Sequence, residues 1–167
     1  IAQLDSGYHW TGTNLTYGFP STASWFPYAE KAGFSALTTA QRAMATQSIS
    51  LWDDLIKTNF TLAADGATAN IKFENTTTNI GYAHAYFPGR VGNEVSGSAK
   101  IQGSVWLNPG YSSGTNNLVG PKLGDYGYMA TLHEVGHALG LDHGGSYNGG
   151  SPTYGNTATG WKFTEDT

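Results

Sequence analysis

The sequence predicts an α/β domain, with a mostly parallel sheet and two helices. Three observations predict it. Short runs of β-branched and aromatic residues recur along the chain, separated by Gly, Pro and Asn. Two longer stretches repeat their apolar residues at helical spacing instead. The helices alternate with the strands rather than standing in a separate half, as in a sheet with crossover connections.

Taken in order, residues 1–14 are polar, with scattered aromatics and an isolated His9 read as structural or solvated. Leu15-Thr16-Tyr17-Gly18-Phe19 reads as a strand closed by Pro20, since proline cannot donate to a ladder. Residues 20–36 read as loop. Thr38 then has Gln41 three residues on, the pattern of a capping box. Ala45, Ile49, Trp52 and Ile56 follow at i, i+4, i+7 and i+11, one apolar stripe of a long helix. Asp53 and Asp54 are expected to face solvent. Phe60-Thr61-Leu62 is a short strand, Asp65-Gly66 a turn, and Asn70-Ile71-Lys72-Phe73-Glu74 a strand by its alternation. After a polar loop, residues 82–87 form a strand stopped by Pro88-Gly89, with His84 in its middle. Residues 101–107 form the last strand. A loop runs to Gly124, and Asp125 is placed to N-cap a second helix. The tripeptides at Asn14, Asn59 and Asn75 match glycosylation acceptors, a signal that carries no meaning if the source is bacterial.

The chain has 167 residues, enough for one domain with its own core. Net charge is −4, and no basic stripe points to nucleic acid. Charged residues make up only 12%, against a usual share of about a quarter. Gly, Asn, Ser and Thr take their place, a surface style of secreted proteins. There is no cysteine, which excludes disulfides and thiolate metal sites. No apolar run approaches the roughly 20 residues of a membrane span. The chain begins at Ile1 rather than Met, and is read as a processed or excised start.

The second helix carries the chemistry. His133-Glu134-Val135-Gly136-His137-Ala138-Leu139-Gly140-Leu141-Asp142-His143 takes three of the five histidines. One helical turn is about 3.6 residues, so His133 and His137 stack on one face. Glu134 lies beside them without having to be a ligand. A ligand from the next turn would point away, so the helix must stop. Gly140 supplies that stop, because glycine enters the left-handed conformation without steric cost. His143 then approaches from the other side. Three imidazoles and one open position suit a catalytic zinc, with Zn–N of about 2.0–2.1 Å. The open position would hold a water acidified to a pKa of about 7, and Glu134 would act as general base on it. Leu132, Val135 and Leu139 form the apolar back of the helix. One sheet edge is expected to overlook the cleft and pair with an extended peptide.

The histidine motif resembles that of the metzincin metallopeptidases. Most of the chain looks like the proteolytic domain of the serralysins, which are secreted bacterial metalloproteases. The matching pieces are Asp125-Tyr126-Gly127 ahead of the zinc helix, Ser146-Tyr147-Asn148 and Ser151-Pro152-Thr153-Tyr154 behind it, and Glu165-Asp166-Thr167. The Trp52 helix leading to Ala69-Asn70-Ile71-Lys72-Phe73, and the segment Ala83-His84-Ala85-Tyr86-Phe87-Pro88-Gly89, match as well. The resemblance implies a metzincin-type catalytic domain: a twisted, mostly parallel sheet with one antiparallel edge strand, a long helix and a zinc-binding helix. It implies His133, His137 and His143 as zinc ligands, Glu134 as general base, and Ala83, His84 and Ala85 as the substrate-binding edge. Matrixins are the nearest competing subfamily, since Leu139-Gly140-Leu141-Asp142-His143 suits them too. The only methionines, Met44 and Met129, precede the motif, which sets that subfamily aside.

Several serralysin features are not matched. The Met-turn, the tyrosine that follows it, a proline where Gly144 stands, the calcium-binding repeats and much of the N-terminal helix have no counterpart. The expectation is therefore one incomplete catalytic domain over residues 1–167. Residues 1–143 would be its upper subdomain and 144–167 the start of the lower one. The expected activity is zinc-dependent endopeptidase cleavage outside a bacterial cell, with calcium possible in the family but no site identified in this chain. Expected partners are protein or peptide substrates, a proteinaceous protease inhibitor, or the remainder of the same protease; nucleic acid and membrane are not expected. Two other readings use the same histidines: a zinc-holding but inactive fragment kept by a binding partner, and a non-peptidase zinc hydrolase.

Overall fold

A computed structural model describes residues 4–89 and 101–143. The expected features at residues 144–167, including Gly144 and the lower subdomain, lie outside the described residues. Among the described residues, five strands form one sheet: β1 (Asn14–Gly18), β2 (Asn59–Leu62), β3 (Ile71–Asn75), β4 (Ala83–Ala85) and β5 (Ser104–Leu107). Their order is β2-β1-β3-β5-β4. β1 pairs in parallel with β2 and β3, and β3 in parallel with β5. β4 pairs antiparallel with β5 and forms an edge. The expected mostly parallel sheet with one antiparallel edge strand is therefore present.

Two helices, α1 (Thr39–Asp53) and α2 (Tyr126–Leu139), pack on one face of the sheet. Met44, Ala45 and Ile49 of α1 meet Tyr128, Val135 and Ala138 of α2 over Ile71, Phe73, Val105 and Leu107. The capping box at the start of α1 is formed as expected. Gln41 N–H donates to Thr38 Oγ1 at 3.2 Å, and Thr38 N–H donates to Gln41 Oε1 at 2.9 Å. Gln41 then reaches inward, its amide bonded both ways to the buried amide of Asn75. Asn75 is thus no exposed glycan acceptor. Trp52 holds the two helices together. Its Nε1 donates to Leu132 O at 3.2 Å, and its ring lies where a side chain at Gly136 would have to go.

The stripe expected to continue to Ile56 stops short. α1 ends at Asp53, and Ile56 is exposed. Asp53 Oδ1 accepts from Phe60 N–H, which turns the chain into β2. Asp125 occupies the N-cap position of α2, but its side chain makes no cap bond; it accepts from Lys122 N–H instead. The strand expected over residues 101–107 begins at Ser104, after Gly103 at φ +66°.

β3 is buried on both faces. Ile71 and Phe73 face the helices, while Lys72 and Glu74 lie under the 20–36 loop, whose Ala23 and Phe26 pack on Trp106. Lys72 Nζ donates to Gln102 O at 3.1 Å and sits over the Trp25 ring. Burial lowers its pKa, with Glu74 pulling it back. Both Glu74 oxygens are buried with no hydrogen-bond partner among the described residues. Burial pushes this carboxyl well above the usual carboxylate range, against the pull of Lys72.

Two outcomes follow. Thr38→Ala should lower the unfolding free energy in urea by about 1 kcal/mol, the usual cost of losing an N-cap. Glu74 has a raised folded pKa, so its stabilising protonation is complete below the unfolded value of about 4.5 and is lost as pH rises through the folded value. Glu74→Gln should flatten that dependence, raising the urea midpoint more at pH 8 than at pH 5; an equal shift at both would refute it.

Candidate metal centre

α2 delivers the first two histidines and its end delivers the third. Gly140, at φ +109°, closes the helix as a Schellman motif: Leu141 N–H donates to Gly136 O and Gly140 N–H to His137 O, each at 2.9 Å. A Cβ at Gly140 would run into the Tyr8 carbonyl. The turn brings His143 back over the helix.

The three imidazoles converge. His143 Nε2 lies 3.1 Å from both His133 Nε2 and His137 Nε2. One ligand atom from each residue lies within 4.8 Å of the others. Tetrahedral zinc with Zn–N bonds of about 2.0–2.1 Å separates its nitrogens by about 3.3 Å, so the spacing fits one small ion. The tautomer fits too. His137 Nδ1 is 2.6 Å from Leu141 O, which accepts only if Nδ1 carries the proton, leaving the Nε2 lone pair to face the cluster. Burial first, then the neighbouring histidines, lowers the His133 pKa to about 4. Burial also lowers that of His137. Both rings are thus held in the neutral, ligating form.

Glu134 is buried beside them. Its Oε2 has no hydrogen-bond partner among the described residues, and burial pushes its carboxyl up to about 7. A carboxyl poised there can carry a proton in either direction near neutrality. An unpaired buried oxygen is costly to folding, and a nearby cation or a proton offsets that cost.

The N-terminal segment, read only as polar, clamps this end of α2. Ser6 Oγ donates to Gly140 O at 2.6 Å and Trp10 Nε1 to Ala138 O at 2.9 Å. Asp142 N–H donates to Leu4 O at 2.7 Å. His9 lies apart, half-exposed and 3.4 Å from Asp5 Oδ1. Leu141 acts through its carbonyl, and no residue type announces such a role in sequence.

β4 runs beside the centre. Ala83 and Ala85 pack toward the helices. His84 turns to the other face, where its Nε2 lies 3.4 Å from the buried Glu30 Oε1. Burial lowers the His84 pKa, and Glu30 counteracts this. Tyr86 Oη also donates to Glu30 Oε1, at 2.8 Å. The backbone alternates as well. Tyr82 O accepts from Asn108 N–H, and Tyr86 exchanges bonds with Gly103 and Ser104, so positions 82, 84 and 86 bond into the sheet. Ala83 and Ala85 then present their N–H and C=O groups at the outer edge.

A family profile described as Matrixin matches residues 9–157. Metalloprotease AprA of Pseudomonas entomophila is 35% identical over 145 residues, covering 84% of this chain and 28% of the relative. Serralysin A of Dickeya chrysanthemi is 35% identical over 150 residues, covering 84% and 29%. Serralysin B of the same organism is 34% identical over 162 residues, covering 92% and 30%. The chain thus spans about 30% of the length of these relatives. The broad family carries the matrixin description, and the likeness within it is to serralysins.

Gly140→Ala tests the turn on which the position of His143 depends. A non-glycine residue forced to φ +109° against Tyr8 should lose about 1–3 kcal/mol of stability. Zinc affinity, read by competition with a chromophoric chelator, should fall at least tenfold. Unchanged zinc affinity would mean that His143 is positioned by something else.

Proposed function

The chain belongs to the matrixin family as a serralysin-like metzincin, and on that premise we propose that it is a zinc endopeptidase that hydrolyses internal peptide bonds of proteins. His133, His137 and His143 would hold the ion through Nε2. When bound, the ion supplies a Lewis acid and an acidified water. Glu134 is the general base: it takes the water's proton at Oε2, which has no hydrogen-bond partner among the described residues, and returns it to the leaving amine. Leu141 keeps the His137 lone pair directed at the ion. The edge of β4 aligns the substrate, with Ala83 and Ala85 offering backbone groups and His84 anchoring the strand through Glu30.

One observation carries the reading: three imidazole nitrogens converge at a spacing that fits one small ion, beside a buried Glu134 oxygen without a hydrogen-bond partner among the described residues. Among the described residues, this triad is the one group of three or more His, Cys, Asp or Glu placed to hold an ion. We assign its work to the exterior of a bacterial cell. The relatives cited come from bacteria, the low charged fraction suits a secreted surface, and no helix among the described residues is long and apolar enough to cross a membrane. Its partners on this reading are protein and peptide substrates, and a proteinaceous inhibitor able to fill the same cleft.

Casein hydrolysis at known zinc stoichiometry tests it. The chain should turn over substrate with one zinc bound and lose activity on chelation. Glu134→Gln should keep the zinc and lose 10²-fold or more in kcat, the usual range for removing a general base. Bound zinc without Glu134-dependent turnover would overturn the reading and leave a metal-holding unit without catalysis.

A further inference from the structure

We infer that a tyrosine cluster at one end of the cleft is a specificity-determining subsite, which takes a large apolar or aromatic side chain two to three residues beyond the cut bond on its C-terminal side. The inference rests on the peptidase reading above and adds the class of sequence such an enzyme would choose.

β4 and α2 run side by side in the same sense. At one end the ring of Tyr82, just before β4, meets that of Tyr126, the first residue of α2, at 5.5 Å. At the other end Phe87 meets the His137 ring at 5.7 Å. Five residues of extended chain span roughly 16 Å at about 3.3 Å each. Eleven residues of helix span roughly 16 Å at about 1.5 Å each. The two elements therefore stay in step along their length, with the histidine triad toward one end and the tyrosines at the other.

Tyr126 and Met129 precede His133 by seven and four residues, on the same helix face. Those separations are roughly 10 Å and 6 Å. An extended peptide advances about 3.3 Å per residue. Met129 therefore stands about two residues, and Tyr126 about three residues, from a bond held over the triad. Tyr82 packs edge-on against Tyr111 at 4.7 Å, and its hydroxyl donates to Asn116 O, which fixes the wall. Tyr111, Tyr126 and Met129 nevertheless remain 41%, 51% and 47% exposed. Rigid, half-exposed aromatic surface continuous with a strand edge that has no partner strand among the described residues suits an apolar side chain of a peptide lying on that edge.

The edge also sets direction. Antiparallel pairing is the more stable arrangement. A peptide added to β4 in that sense runs from the Phe87 end to the Tyr82 end, which places the tyrosines on the C-terminal side of the cut.

Peptides differing only at the second and third residues after the cut would test this, with Gly, Ala, Leu or Phe placed there. Leu and Phe should exceed Gly by about tenfold in kcat/KM, mainly through KM. Tyr126→Ala and Tyr111→Ala should reduce that preference to about threefold or less; Tyr126→Phe should retain it. A preference absent from the unmodified chain, unaltered in both alanine variants, or located on the N-terminal side of the cut would overturn the inference. Binding separates this from the peptidase reading. With zinc-loaded Glu134→Ala chain, fluorescence anisotropy of labelled Phe and Gly peptides should give dissociation constants about tenfold apart, equalised by adding Tyr126→Ala. If nothing is cut, the peptidase reading fails and this ratio still decides the subsite; equal constants for the two peptides in the Glu134→Ala chain would refute it.

Discussion

Three imidazole nitrogens cannot gather around one point by chance, and most of the described structure serves to hold them there. His143 Nε2 lies 3.1 Å from Nε2 of both His133 and His137, an arrangement that would disperse in a flexible chain. Helical spacing accounts for two of them. The third depends on the left-handed turn at Gly140, on the Leu141 carbonyl that orients His137, and on the N-terminal strap bonded to Gly140 and Ala138. The site is built by ordering backbone, so the three histidine side chains are only the visible part of it.

The sheet supplies the second constraint. α2 lies on a core whose centre is β3 and β5, both fully buried, and Trp52 pins it to α1. β4, at the edge, is three residues long. On the side away from the helices, Glu30 draws in His84 and Tyr86, while the outer positions of the strand have no partner strand among the described residues. A short edge strand held firmly from behind can offer backbone groups without rearranging.

The covered face of the sheet carries an electrostatic load. Glu30, Lys72 and Glu74 are all buried there, under the aromatic residues of the 20–36 loop. Such groups are expensive to bury unless paired or neutralised. The raised pKa of Glu74 and the lowered pKa of Lys72 both favour the neutral forms.

Much of this was legible in the sequence because it depends on spacing. The capping box at Thr38, the period of α1, the strand runs, the histidine motif and the glycine stop are local patterns set by helix and strand periods. Where local pattern and structure part, a distant residue decides. The α1 stripe ends before Ile56 because Asp53 caps the entry to β2, and Asp125 spends its carboxylate on Lys122 rather than on its own helix. The sequence by itself determined which residues could bind a metal and which faces are apolar, since both follow from fixed backbone periods. Only the tertiary structure decided that Ser6 and Trp10 would brace the turn leading to His143, that His84 would turn to Glu30, and that Tyr82 would meet the ring of Tyr126. Those contacts join segments up to 134 residues apart, and no local period links positions so distant.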